Sequence, residues 1–273
     1  MLGLQPSAAD RTMQVAVELA DLLHLELLGL FLEDTSLHDL ANIPFAREFR
    51  PLGGGWQTIE LDRLSHDFEL AARSIERTFT SAAKHLATRS QFEVARGPTA
   101  KTIATISRTD DIIMIVEPMS PAERATQQFS WLMQAAFHSA AAVMLVPPNI
   151  VRAKGPIVAI TTSPDDSSVH VAAAIAIAAQ EELVIIEADG HDAEDSQIRA
   201  LAADADLTIK RVATTKVALP DPATCSQAFR QTRERLVVMT RGAFDDEVAS
   251  TIAAARRVPV LVVEPPAAGN SAP

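Results

Sequence analysis

Short runs of consecutive apolar residues recur along this chain, separated by longer stretches whose apolar positions return every three or four residues. A run that is apolar throughout reads as a strand buried on both faces, and the longer period reads as a helix with one buried stripe. On this basis Leu2–Leu4 is a short strand, Ser7 caps a helix over Ala8–His24, and Leu25–Leu32 is a second strand. A long helix over Leu61–Thr88 follows, then a strand at Phe92–Ala95, a helix at Thr99–Ser107, a strand at Ile112–Val116 and a helix over Ala122–Ala141. The run Ala142–Val146 closes this series against Pro147 and Pro148.

Near the other end, Val260–Val263 repeats that closing pattern before Pro265 and Pro266. Paired prolines cannot continue a ladder, so each pattern marks the end of a domain. Reading back from the second ending gives the same order of elements. The strand Ile157–Ile160 leads into a helix that starts at Ser163 and Pro164 and runs on through Val169–Ala179. The strand Leu183–Ile186, a helix at Asp195–Ala203, the strand Leu207–Val212, a helix at Thr224–Thr232, the strand Leu236–Met239 and a helix at Asp245–Arg256 complete it. Each copy is βαβαβαβαβ. The predicted fold class is α/β: two tandem, doubly wound, five-stranded parallel-sheet domains over 1–150 and 151–266, joined near Asn149–Gly155, with a disordered tail at 267–273. The two closing strands fall at sheet edges, and apolar edges need cover.

Composition narrows the classes of partner. The 273 residues are 48% hydrophobic and 22% charged, a globular mix with enough length for two cores. Aromatics are only 4%, so the cores are aliphatic. A formal net charge of -11 leaves no basic stripe for a phosphate backbone, which argues against nucleic acid. The single Cys225 cannot form an internal disulfide, no run approaches the roughly 18 apolar residues of a membrane span, and no signal segment follows Met1. A cytoplasmic protein is the expectation.

The order of elements, the Gly29–Asp34 segment closing the second strand, and the terminal Val258–Val263 together resemble the universal stress protein family in its tandem, Rossmann-like form. The resemblance implies that the closing strands of the two copies pair across a pseudo-two-fold axis, so that the chain is an intramolecular pseudo-dimer with Ala142–Val146 beside Val260–Val263, and it implies a ligand crevice after the first and fourth strands of each copy. It also implies an Asp at the end of strand one, beside adenine, and a Gly-x2-Gly-x9-Gly-Ser/Thr loop after strand four, whose open backbone cradles phosphate. Here the strand-one positions are Gln5 and Thr161, neither acidic. After strand four the first copy reads Glu117-Pro-Met-Ser-Pro, where prolines remove donors and Glu117 repels phosphate. The second copy reads Thr240-Arg-Gly-Ala-Phe-Asp-Asp, with one glycine kept. Thr161, Thr162, Ser163, Thr240, Arg241 and Gly242 are the candidate ligand residues, fit at most for a small anion, while Asp245 and Asp246 already answer the dipole of the following helix. No cofactor is expected. The alternative is an adenine nucleotide bound by the second copy alone, with weak or no hydrolysis.

The segment Leu37–Gln57 has no counterpart in the second copy. Long insertions after a strand often carry function. Phe45, Arg47, Phe49 and Trp56 are candidate partner-binding anchors with Gly53–Gly55 as a hinge; the other reading folds these aromatics back onto the domain. The seven histidines show no paired ligand spacing, and Cys225 has no histidine near it in sequence, so no metal or catalytic residue is assigned. Three functions follow: a non-enzymatic stress protein acting on a protein partner or unidentified ligand, a nucleotide binder, or a small-ligand carrier with an apolar pocket between domains. A homodimer through Leu37–Gln57 is a further expectation.

Overall fold

The described residues of the computed structural model are 13–14, 17–23, 25–33, 35, 39, 42–43, 45–50, 55–84, 89–118, 126–163, 166–188, 207–214, 229–230 and 232–265. The first half contributes β1 (Leu27–Glu33), β2 (Arg47–Arg50), β3 (Gly55–Thr58), α1 (Leu61–Ala83), β4 (Ser90–Arg96), α2 (Thr99–Ile106), β5 (Ile112–Val116), α3 (Gln127–Phe137) and β6 (Ala142–Val146). The second contributes β7 (Ile157–Thr161), α4 (Ser167–Ala179), β8 (Leu183–Ala188), β9 (Ile209–Thr214), β10 (Leu236–Thr240), α5 (Asp246–Arg256) and β11 (Val260–Val263).

Seven strands form one sheet in the order β5-β6-β11-β10-β7-β8-β9. Every neighbouring pair is parallel except β6 and β11, which run antiparallel with Leu261 opposite Met144. The two closing strands thus cover each other's apolar edge, as their sequences predict. Within this sheet the second half supplies five parallel strands. The described strands of the first half do not form a five-stranded sheet of their own: β5 and β6 join the large sheet, while β1 and β4 stand apart as a parallel pair. The predicted strand Leu2–Leu4 lies outside the described residues.

The all-apolar strands are buried on both faces because alternate residues feed two separate cores. Val158, Ile160, Val184, Ile186, Val237 and Met239 pack with Phe137 of α3 and Val248 and Ile252 of α5. Ile157, Ala159, Leu183, Ile185, Leu236 and Val238 pack with Val169, Ala172 and Ala176 of α4. Leu19, in the helical residues 17–22, joins the second of these cores.

Several ends shift from expectation. The helix predicted from Ala122 begins at Gln127, where the Thr126 hydroxyl accepts the Phe129 amide at 3.4 Å. The helix predicted to start at Ser163 begins at Ser167 with Asp166 as its cap, since a carboxylate that accepts the Ser168 amide outcompetes a hydroxyl placed too early. The insertion, read as a loop, contains an antiparallel hairpin, β2–β3. The predicted helices Asp195–Ala203 and Thr224–Thr232 fall wholly or largely outside the described residues.

Two glycines fix close approaches. A Cβ on Gly29 of β1 would lie 2.7 Å from the Phe92 ring and 2.9 Å from the Phe79 ring, so its absence lets α1 settle on β1 and β4. Gly155, at φ +137°, stands where a Cβ would come within 2.3 Å of the Arg233 carbonyl. The connection around it is pinned: the Val151 amide donates to the Arg257 carbonyl at 3.1 Å, and the Gly155 amide to Glu181 Oε2 at 3.0 Å. Arg152 stands 3.6 Å from the fully buried Glu234, which Arg256 grips at 2.7 and 3.2 Å.

Candidate functional site

From β7 the chain passes to β8 on one side and later returns as β10 on the other, so the carboxyl ends of β7 and β10 form a switch point. Open parallel sheets bind ligands there. The turns leaving these two strands carry Thr161, Thr162, Ser163, Thr240, Arg241 and Gly242.

A carboxylate that the strand pattern does not mark draws most of this set together. Asp166, 4% exposed, accepts the Thr162 amide on Oδ2 at 3.1 Å and the Ser168 amide on Oδ1 at 3.0 Å. The Thr240 hydroxyl donates to the same Oδ1. Ser168 Oγ donates to the Ile160 carbonyl at 3.0 Å, and its amide also approaches Thr240 Oγ1 at 3.1 Å. Thr161 Oγ1 donates to the Ser163 carbonyl at 2.6 Å and accepts the Ser163 amide at 3.3 Å. The donors that would meet an anion in this crevice are therefore bonded to one another and to Asp166.

Arg241 turns elsewhere. Its guanidinium donates to the Ser139 carbonyl at 2.6 Å and the Ala141 carbonyl at 2.5 Å, and pairs with Glu264. Its amide donates to the Val263 carbonyl at 2.8 Å. The side chain thus ties the end of β10 to the residues entering β6, and it is not aimed into the crevice beside Thr240. Gly242 sits in an exposed turn at φ +76°. The hollow between Thr240, Gly242 and Phe244 measures about 10 Å³, room for about one water. Asp245 caps α5 with no side-chain hydrogen bond to it.

In the first half, Glu117 follows β5 and is buried. Its amide donates to the Val146 carbonyl at 2.9 Å and its Oε1 accepts the Ser250 hydroxyl of α5 at 2.7 Å, a second contact between the halves. Gln5, Cys225, and residues 119–125 after Glu117 lie outside the described residues. Among the described residues no cluster of His, Cys, Asp and Glu has the makings of a metal site, and no helix is long and apolar enough to cross a membrane.

The hairpin presents its aromatics to solvent. Phe49 of β2 faces Trp56 of β3 across the ladder with ring centroids 5.4 Å apart, and strand alternation places Arg47 and Thr58 on that same face. Phe45 is 88% exposed, Trp56 67% and Phe49 58%. The reading in which these rings fold back onto the domain does not hold.

A second hollow, about 300 Å³, opens at the amino ends of the strands, between Glu18 and Leu19, the connection Ile150–Ala153, and Arg235 and Leu236. It lies at the opposite end of the sheet from the switch point. Arg235 there pairs with Glu181 at 3.3 Å.

The chain matches no protein-family model, and no curated protein matches it in sequence. Among solved structures it is similar to a universal stress protein from Archaeoglobus fulgidus DSM 4304, at 12% identity over 93% of this chain and 91% of that one, with a TM-score of 0.64. A functionally unknown protein from Pseudomonas aeruginosa PAO1 also aligns, at 14% identity over 93% of this chain and 95% of that one, with a TM-score of 0.42. At such identities the likeness is one of fold.

Proposed function

We propose that this chain, which has the fold of a universal stress protein, is a non-enzymatic stress-response protein of the cytoplasm that acts by touching a protein partner and holds no adenine nucleotide. The observation that carries this reading is the closed network around Asp166. In a phosphate site, free amides and hydroxyls converge on an empty space. Here the Thr162 and Ser168 amides and the Thr240 hydroxyl converge on a carboxylate of the chain itself. An incoming phosphate would have to displace that carboxylate and would be repelled by it. Arg241, the cation nearest the turn, is engaged with two carbonyls and Glu264.

The same closure leaves the hydroxyls of the crevice without a catalytic role. The hydroxyls of Thr161, Ser168 and Thr240 each donate to an acceptor of the chain, and all three residues are buried, so none stands ready as a nucleophile. The partner surface is instead the exposed hairpin. Calorimetric titration with ATP, ADP and AMP in the presence of magnesium is the test: no saturable heat is expected with any of the three. Micromolar binding of one of them by the native protein would overturn the reading in favour of a nucleotide held by the second half.

A further inference from the structure

We propose that the hollow at the amino ends of the strands is a binding site for a small apolar α-amino acid, held by its carboxylate and its ammonium at once. The hollow lies at the opposite end of the sheet from the crevice and apart from the hairpin, so it is independent of the function proposed above.

Its floor is apolar: Leu19, Leu236 and Pro259 are buried there and Ile150 is half-buried. Its walls carry Arg152 and Arg235, with side chains only 28% and 18% exposed, so it is not the purely apolar pocket expected of a carrier. A cation drawn in beside apolar groups is costly unless something answers it. Each of these is answered through Nη1 alone, and at long range. Arg152 Nη1 lies 3.5 Å from the Glu234 carbonyl and 3.6 Å from Glu234 Oε1, and Arg235 Nη1 lies 3.3 Å from Glu181 Oε1. The other nitrogens of both guanidiniums make no hydrogen bond among the described residues. A guanidinium offers its donors as a planar fork, and a carboxylate is the partner that the fork matches.

Charge decides what else the ligand carries. Glu18 also lines the hollow, on the helical residues 17–22, and stands exposed with no ion pair among the described residues. Glu181 and Glu234 stand behind the two arginines, and Arg256 behind Glu234, so the cations of the cluster are matched by its acids. A bare carboxylate would meet repulsion from Glu18, and a bare amine would meet it from Arg152 and Arg235. A molecule carrying both charges answers each, and its own neutrality suits a neutral cluster. The volume of about 300 Å³, equal to about ten waters, leaves an aliphatic side chain of leucine size to cover the floor. The walls are already in place. The Val151 amide is held by the Arg257 carbonyl, and Glu181, which positions Arg235, also accepts the Gly155 amide, so binding orders little new structure.

Equilibrium dialysis of the native chain against radiolabelled L-leucine tests this. Saturable binding is expected with a Kd below about 1 mM. 4-Methylpentanoate and 3-methylbutylamine, each lacking one of the two charges, should compete at least about tenfold less well. Arg235→Gln should weaken L-leucine binding at least about tenfold. Glu18→Gln, at an exposed position that the fold does not depend on, should weaken L-leucine by about tenfold while 4-methylpentanoate binds as well as before or better. Lys101→Gln, on the exposed side of α2, should change nothing. No saturable uptake at about 10 mM L-leucine, 4-methylpentanoate binding the native chain as tightly as L-leucine, or Glu18→Gln binding L-leucine like the native chain overturns the proposal. Its failure is distinguishable from failure of the function proposed above. A chain that takes L-leucine and also ATP contradicts only the reading of the crevice, and a chain that takes neither contradicts only this site.

Discussion

The central strands of the large sheet and the separate β1–β4 pair are treated in opposite ways. Every residue of β7, β8, β10 and β11 is buried, whereas β4 is exposed at every position except the half-buried Phe92 and Ala95, and β1 leaves Leu28 43% exposed. Helices cover both faces of the first group. α1 covers one face of the β1–β4 pair, through Phe31 against Phe68 and Phe92 against Phe79, and the leucines at 28, 30 and 32 point to the other. The large sheet is therefore a core covered on both faces, and the β1–β4 pair a layer that α1 covers on one.

The sharpest way to break this comparison is at the strand that both halves share. Val262 lies in β11 between Met239 of β10 and Val143 of β6. A proline there removes a donor inside the sheet and adds a clash, so Val262→Pro should cost more than about 3 kcal/mol, a large part of an ordinary domain's stability. The urea midpoint reports it, and an unchanged midpoint would mean that the seam does not hold the molecule together.

A matched pair of truncations probes the contrast itself. Ile185→Ala empties a fully buried position in β8 and should cost about 2–5 kcal/mol, whereas Leu28→Ala on the open face of β1 should cost less than about 1 kcal/mol. Equal losses in equilibrium unfolding would show that the first half is as tightly covered as the second. The bridge between them should fall between those two losses. Arg241→Ala removes two charged hydrogen bonds to the Ser139 and Ala141 carbonyls and should cost about 1–3 kcal/mol in the same unfolding experiment. A loss near zero would reduce the bridge to an incidental surface contact.

Strands β7, β8, β10 and β11 were legible because they are continuous apolar runs stopped by turn residues, a pattern that a doubly covered sheet explains. The pairing of β6 with β11 was legible from the two matching Pro-terminated runs taken together with the family resemblance. The hairpin was not, since Arg47–Arg50 and Gly55–Thr58 are short and carry no run of β-branched residues on either side of the glycines. Nor was the closing of the crevice. Asp166 reads locally either as an acid of a first helical turn or as one reaching into the crevice after strand one, and its bond to Thr240 joins residues 74 positions apart that only the parallel pairing of β7 and β10 brings together. Arg241 was legible as a candidate ligand residue, but its acceptors lie about a hundred residues earlier, in the other half. Local chemistry named most of the residues of the site, and long-range topology decided what each one touches.

The pinned connection at 150–156 changes what kind of joint the molecule has. A flexible linker sets only how far two modules can stray, and lets them meet and part at a concentration fixed by its length. Here Val151, Arg152 and Gly155 are each held to the second half, and Gly155 lies too close to the Arg233 carbonyl to admit a side chain. β6 is therefore delivered to β11 already aligned, at an effective concentration set by geometry and not by diffusion. A four-residue strand can close the sheet on those terms, because the entropy of bringing the partners together was lost when the joint itself folded.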